Sequence, residues 1–125
     1  MVYDRSHLPA VPSVDEYVNA LRSMHHEGFM THNQYRMLLN HYDAPNHIIT
    51  ASDLAASVRY KNWKGANLQY GLLGKNLRDY MDYQGEGQES YVLAYFLPPG
   101  VNGNPEWLFI MHPEVAQAIK VLNWT

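Results

Sequence analysis

Residues 54–78 read LAASVRYKNWKGANLQYGLLGKNLR, and they hold five of the nine Lys and Arg residues of the chain and no Asp or Glu. The cations are Arg59, Lys61, Lys64, Lys75 and Arg78. Lys and Arg groups clustered in this way attract phosphate oxygens. Asn62, Asn67 and Gln69 lie among them, and an Asn or Gln side chain can pair bidentately with adenine. Trp63 stands in the same run. This is chemistry for holding a nucleic acid rather than for breaking bonds. The whole chain is net −3, so the distribution of charge singles out this segment, not its sum. A solvated helix surface has a similar composition, and for any one of these side chains alone that simpler reading is the stronger.

Other chemistry is poorly represented. The seven histidines are His7, His25, His26, His32, His41, His47 and His112. No two of them have the spacing that sets a pair of ligands on one helix face, and no carboxylate joins them in a metal-binding pattern. They are expected at the surface or at helix ends, with no metal. There is no cysteine, so no disulfide, thiol nucleophile or Cys-based zinc site is possible. Gly-x-Ser-x-Gly, a phosphate-binding Gly-rich loop and a dinucleotide fingerprint are absent. Asp15/Glu16 and Asp79/Asp82 read as a helix start and a solvated helix end rather than as acid/base pairs. The expectation is a non-enzyme without a cofactor. The N-terminus MVYDRSHLPAVPS lacks an apolar signal core and no apolar run reaches membrane-spanning length, so a cytoplasmic protein without a membrane partner is expected.

The elements that position the basic segment follow from local signals. The 125 residues, 46% hydrophobic and 17% charged, suit one folded domain. Residues 1–12, with Pro9 and Pro12, read as an extended arm. Ser13–Glu16 is a capping box opening a helix over about 14–25 that Gly28 ends. Thr31–Gln34 repeats the pattern and opens a second helix with Tyr35, Leu38, Leu39 and Tyr42, stopped before Pro45. His47–Ile49 suits a short strand. Thr50–Asp53 starts a third helix, Tyr60–Gly65 is a turn, and a fourth helix runs from about Ala66 to Met81. Gly85 and Gly87 break the chain. Tyr91–Leu97 and Trp107–Met111 read as two strands around the loop Pro98–Pro105. His112-Pro113 starts a last helix, with Pro in the favoured first position.

From residue 31 the order is helix, short strand, helix, turn, helix, strand, loop, strand. That is the winged-helix order, with helix 66–81 as recognition helix and loop 98–105 as wing. Helical spacing places Lys64, Asn67, Gly71, Lys75 and Arg78 on one stripe of helix 66–81, and Ala66, Tyr70, Leu73, Leu77 and Tyr80 on the opposite, core side. Leu68 and Leu72 fall beside the polar stripe. Gly71 and Gly74 lie inside the helix, where each costs about 1 kcal/mol relative to Ala. Either helix 14–25 packs over this flank, or Leu68, Gly71 and Leu72 meet a protein partner. The wing loop carries no Lys or Arg.

A resemblance supports the fold. Ile49-Thr-Ala-Ser-Asp-Leu-Ala-Ala-Ser-Val58, then Tyr60, Asn67-Leu-Gln-Tyr-Gly71, Leu73-Gly74 and Leu77, resemble a small bacterial and phage module with the pattern T-x-x-x-L-A, then N-L-x-Y-G-x-L-(G/A). The tail Trp107-Leu-Phe-Ile-Met-His-Pro-Glu-Val-Ala-Gln-Ala-Ile119, then Leu122-Asn-Trp124, is similar to the same module's ending. Together these span about 49–124. Such modules resemble winged-helix domains, and some are associated with HNH-type restriction nucleases. The HNH metal-binding motif is missing here, so the resemblance implies no nuclease activity. Asn123 stands where the module usually has Gly, a change that bears on a turn.

The expected protein is therefore a single α+β domain over 1–125. It comprises an arm (1–12), a helical part (13–46), a helix-turn-helix plus β-hairpin wing (47–111) and a C-terminal helix (112–125). Its expected role is non-catalytic binding of double-stranded DNA, in a bacterial or phage setting, either regulatory or accessory to a restriction or defence system. The alternative is a protein–protein interaction module, such as a phage-encoded inhibitor or adaptor, that uses the same surface. A homodimer through a terminal helix would suit two DNA half-sites.

Overall fold

The computed structural model describes residues 11–83, 89–100, 103 and 105–125. Most of the expected arm, the glycine break at 85–87 and part of the expected wing loop lie outside these residues. The described chain is α+β, with five α-helices and a small three-stranded antiparallel sheet. The helices are α1 (Val14–Glu27), α2 (His32–Asp43), α3 (Ala51–Ser57), α4 (Trp63–Met81) and α5 (Pro113–Val121). The strands are β1 (Ile48–Thr50), β2 (Ala94–Leu97) and β3 (Leu108–Met111).

Local chemistry starts each helix. Both capping boxes form: Ser13 with Glu16 opens α1, and Thr31 with Gln34 opens α2. Each satisfies two backbone N–H groups that a helix start leaves unpaired. Thr50 caps α3 by accepting from the Asp53 N–H at 3.1 Å. Pro113 stands in the first turn of α5. Gly28 closes α1 in the left-handed conformation, φ +81°. Asn123 ends α5 with φ +60°, and the Trp124 N–H then donates back to the Ile119 carbonyl at 3.2 Å. Asn tolerates that conformation better than most residues. The turn lets Trp124 lie against His25 and Tyr35.

The sheet order is β1-β3-β2, with both pairings antiparallel. Ile48 lies opposite Ile110, and Tyr95 lies opposite Ile110 from the other side. The apolar run 91–97 only partly forms a strand. Glu89–Val92 winds into a 3-10 turn packed against α4, and pairing begins at Ala94. A short apolar run of this kind carries no periodicity that separates the two outcomes.

The core joins every layer. Tyr17, Leu21 and Met24 come from α1, Met37 and Leu38 from α2, and Leu54 from α3. Ala66, Tyr70, Leu73 and Leu77 of α4 are fully buried among them, as their spacing predicts. Phe109 and Met111 of β3 and Val115, Ala118 and Ile119 of α5 close the other side. Tyr17 is tied in further, its hydroxyl donating to the Val92 carbonyl at 2.6 Å.

Two histidines, His41 and His112, are buried: His112 stands at a helix end as expected, as N-cap of α5, whereas His41 departs from expectation. Nε2–H of His41 donates to the Phe109 carbonyl at 2.9 Å, since that oxygen can only accept. Nδ1 is then the acceptor for the Tyr70 hydroxyl at 2.7 Å. One imidazole thus joins α2, α4 and β3. Burial pulls its pKa from 6.5 down to about 4, with the Phe109 hydrogen bond opposing that shift. The ring is therefore neutral at physiological pH. His112 uses Nε2 toward the Tyr91 carbonyl at 2.5 Å, and its ring meets the Tyr95 ring edge-on.

Candidate nucleic-acid interface

The basic segment is folded as α3, a turn and α4, and the turn is tightly determined. The Tyr60 N–H reaches back to the Ala55 carbonyl at 2.9 Å, and Arg59 takes a left-handed conformation, φ +63°, to allow it. The Tyr60 ring then lies on the first turn of α4. A Cβ added to Gly65 would meet that ring at 3.2 Å, so Gly at 65 permits the close approach. The Tyr60 hydroxyl also accepts from the Asn33 amide at 3.3 Å, which anchors the turn to α2.

Around this frame the predicted residues divide. Arg59, Lys61, Lys64, Asn67 and Lys75 are exposed. Lys64, Asn67 and Lys75 line up along the solvent face of α4, and Arg59 and Lys61 stand in the turn that leads into it. The Lys64 ammonium lies 6.0 Å from the centroid of the Trp63 ring, which is 45% exposed. Arg78, at the far end of the stripe, is half-buried.

Two amides expected near base edges have work inside the fold. Asn62 is the N-cap of α4, its Oδ1 accepting from the Lys64 N–H at 2.9 Å. Gln69 is met by the buried Gln34, whose Nε2 donates to the Gln69 Oε1 at 3.2 Å. The Asn62 cap is local, two residues from its partner, and is missed when the helix is expected to start at about Ala66 rather than at Trp63. For Gln69 the partner is 35 residues away in sequence. Asn67 is left as the amide on the open stripe.

The flank beside the stripe is uncovered. Leu68 is 61% exposed and Leu72 is 42% exposed. Of the two readings of this flank, cover by helix 14–25 does not hold. α1 does pack on α4, but its apolar stripe of Tyr17, Leu21 and Met24 enters the common core, which meets the opposite side of α4. A Cβ on Gly71 would touch nothing within 4 Å. The open face of α4 is thus a cationic stripe bordered by two leucines and a bare backbone position.

Among the described residues, no group of three or more His, Asp and Glu side chains is arranged to hold a metal ion. None of the described helices is long and apolar enough to cross a membrane. No family model, curated protein or solved structure matches the chain.

Proposed function

We propose that this chain is a non-catalytic, winged-helix-type protein that binds double-stranded DNA through α4. The observation that carries the reading is the open face of α4. It presents Lys64, Asn67 and Lys75 on one stripe, directly after a turn bearing Arg59 and Lys61. The succession α2, β1, α3, α4, β2, β3 and the sheet order β1-β3-β2 support the winged-helix assignment. In such an assignment α3 and α4 form the helix-turn-helix, and the loop between β2 and β3 is the wing.

A major groove admits one α-helix, and the N-terminal part of a recognition helix reads base edges. Arg59, Lys61, Lys64 and Lys75 would neutralise phosphates. Asn67 would face adenine. Asn62 and Gln69 would act through the fold, one by capping α4 and the other by fixing it to α2. Four neutralised phosphates would give a salt dependence of about −3 to −4 in log K against log salt.

Titration of duplex DNA by fluorescence anisotropy at two salt concentrations tests this. Lys64→Glu with Lys75→Glu should abolish binding at low salt. Absence of binding by the unaltered chain, or binding that ignores both substitutions, would refute the proposal.

A second reading has its own support. Leu68 and Leu72 are large apolar side chains left exposed on the same face, and Gly71 between them offers bare backbone to a partner. A protein docked there would bury both leucines, and its affinity would respond weakly to salt.

A further inference from the structure

The other face of the sheet carries a cleft of about 430 Å³ that the α4 interface does not use. Tyr70 of α4 stacks on Phe109, and side chains alternate along a strand, so the neighbouring Ile110 belongs to the opposite face. The cleft opens there. Ile110 and its cross-strand neighbour Tyr95 form its floor, edged by the largely buried Met111 and Ala116. Tyr42 and His47 form one wall, and α5 forms the other.

The wall is fixed in place. Asn46 and His47 are successive residues with φ of 56° and 60°. That conformation is uncommon for non-Gly residues, though Asn and His enter it more readily than most. Nδ1–H of His47 donates to the Tyr42 carbonyl at 2.6 Å, and the two rings lie 4.8 Å apart. The result is a rigid aromatic wall beside an apolar floor.

The rim is polar and its charge has one sign. Asn46, Gln117 and Lys120 are exposed side chains at the cleft, and none of the residues lining it is Asp or Glu. In a chain of net charge −3, an acid-free cleft with a lysine at its edge selects against cations. Its volume lies in the range of small-molecule sites, and its lining mixes apolar and polar groups.

We propose that this cleft binds a small planar aromatic carboxylate. The ring lies over Ile110 and its cross-strand neighbour Tyr95 beside the Tyr42 and His47 wall, and the carboxylate faces Lys120 with the Asn46 and Gln117 amides as further donors. This site is independent of DNA binding by α4 and stands or falls separately.

Benzoate, benzamide and acetate are the probes, titrated into the ¹⁵N-labelled full chain and followed by amide shifts. Benzoate should saturate in the millimolar range or tighter, with shifts concentrated in 42–47, 95 and 110–120. Acetate, lacking the ring, should produce no saturable shifts. Benzamide, lacking the charge, should bind about fivefold more weakly, the ratio expected for one ion pair at an exposed rim. Lys120→Met should bring benzoate down to the affinity of benzamide and leave benzamide unchanged. Ala116→Leu should block both. If that variant does not fold, the exposed Lys120 decides alone. Absent saturation by benzoate, equal affinities for benzoate and benzamide, or shifts confined to other surfaces would overturn the proposal.

Discussion

His41 gives the fold an acid sensitivity that can be measured. Its ring is buried and neutral, with a folded pKa of about 4 against 6.5 for a free imidazole. The unfolded chain therefore binds a proton at His41 before the folded chain does. The stabilisation is complete above pH 6.5 and is lost as pH falls through the folded pKa. Each pKa unit is worth about 1.4 kcal/mol, so complete protonation removes about 3 kcal/mol. Between about pH 7.5 and about pH 5 the loss is about 2 kcal/mol. Urea unfolding at these two pH values measures it. His41→Gln removes the titrating group and supplies the control for the other histidines and acids. The unaltered chain should lose about 2 kcal/mol more than His41→Gln across this range. Equal losses would refute the reasoning. So would imidazole ¹⁵N shifts showing His41 as a cation in the folded chain at pH 5. Should His41→Gln not fold, the second measurement still decides.

Three further substitutions test other parts of the fold. Gly71→Ala should stabilise the chain by about 1 kcal/mol in urea unfolding, because the added methyl meets nothing and α4 gains helix propensity. Arg59→Gly should relieve the left-handed strain in the turn before α4, raising stability by about 1 kcal/mol, while weakening DNA binding in the anisotropy assay. Tyr17→Phe should cost about 1–3 kcal/mol in the same unfolding assay, since it removes the hydroxyl that donates to the Val92 carbonyl.

What was legible in the sequence was what neighbours in sequence decide. Ser13 and Thr31 cap helices through residues three positions on, and Pro113 sets its own helix start. Ala66, Tyr70, Leu73 and Leu77 share a face because of helical period alone, and that face is buried. The misses at His41 and in the placement of α1 depend on distant partners. His41 meets Tyr70 and Phe109, 29 and 68 residues away. Nothing in its local spacing separates a buried linker from a surface ring. The orientation of α1 was equally hidden. Its stripe predicts that it buries one face, but periodicity does not say which side of α4 that face will meet. The side chosen leaves Leu68 and Leu72 open, and so alters the balance between the two functional readings.

That balance rests on how one helix is held. From behind, α4 is fixed by its buried side chains and by the Tyr70–His41–Phe109 chain of hydrogen bonds. Gln34 grips it through Gln69, and the Tyr60 ring sits on its first turn. A helix so anchored can offer its front face without rearranging, which lowers the ordering cost of binding anything there. On that face the cations and the leucines favour different partners through different physics. Full burial of one leucine is worth about 1.5–3 kcal/mol and is largely indifferent to salt. Phosphate neutralisation grows steeply as salt is removed. DNA binding through the stripe therefore requires that Leu68→Ala change affinity little and Lys64→Glu change it greatly. A protein partner requires the reverse order. Both substitutions sit on the exposed face of α4, one turn apart, so neither result can be blamed on loss of the core.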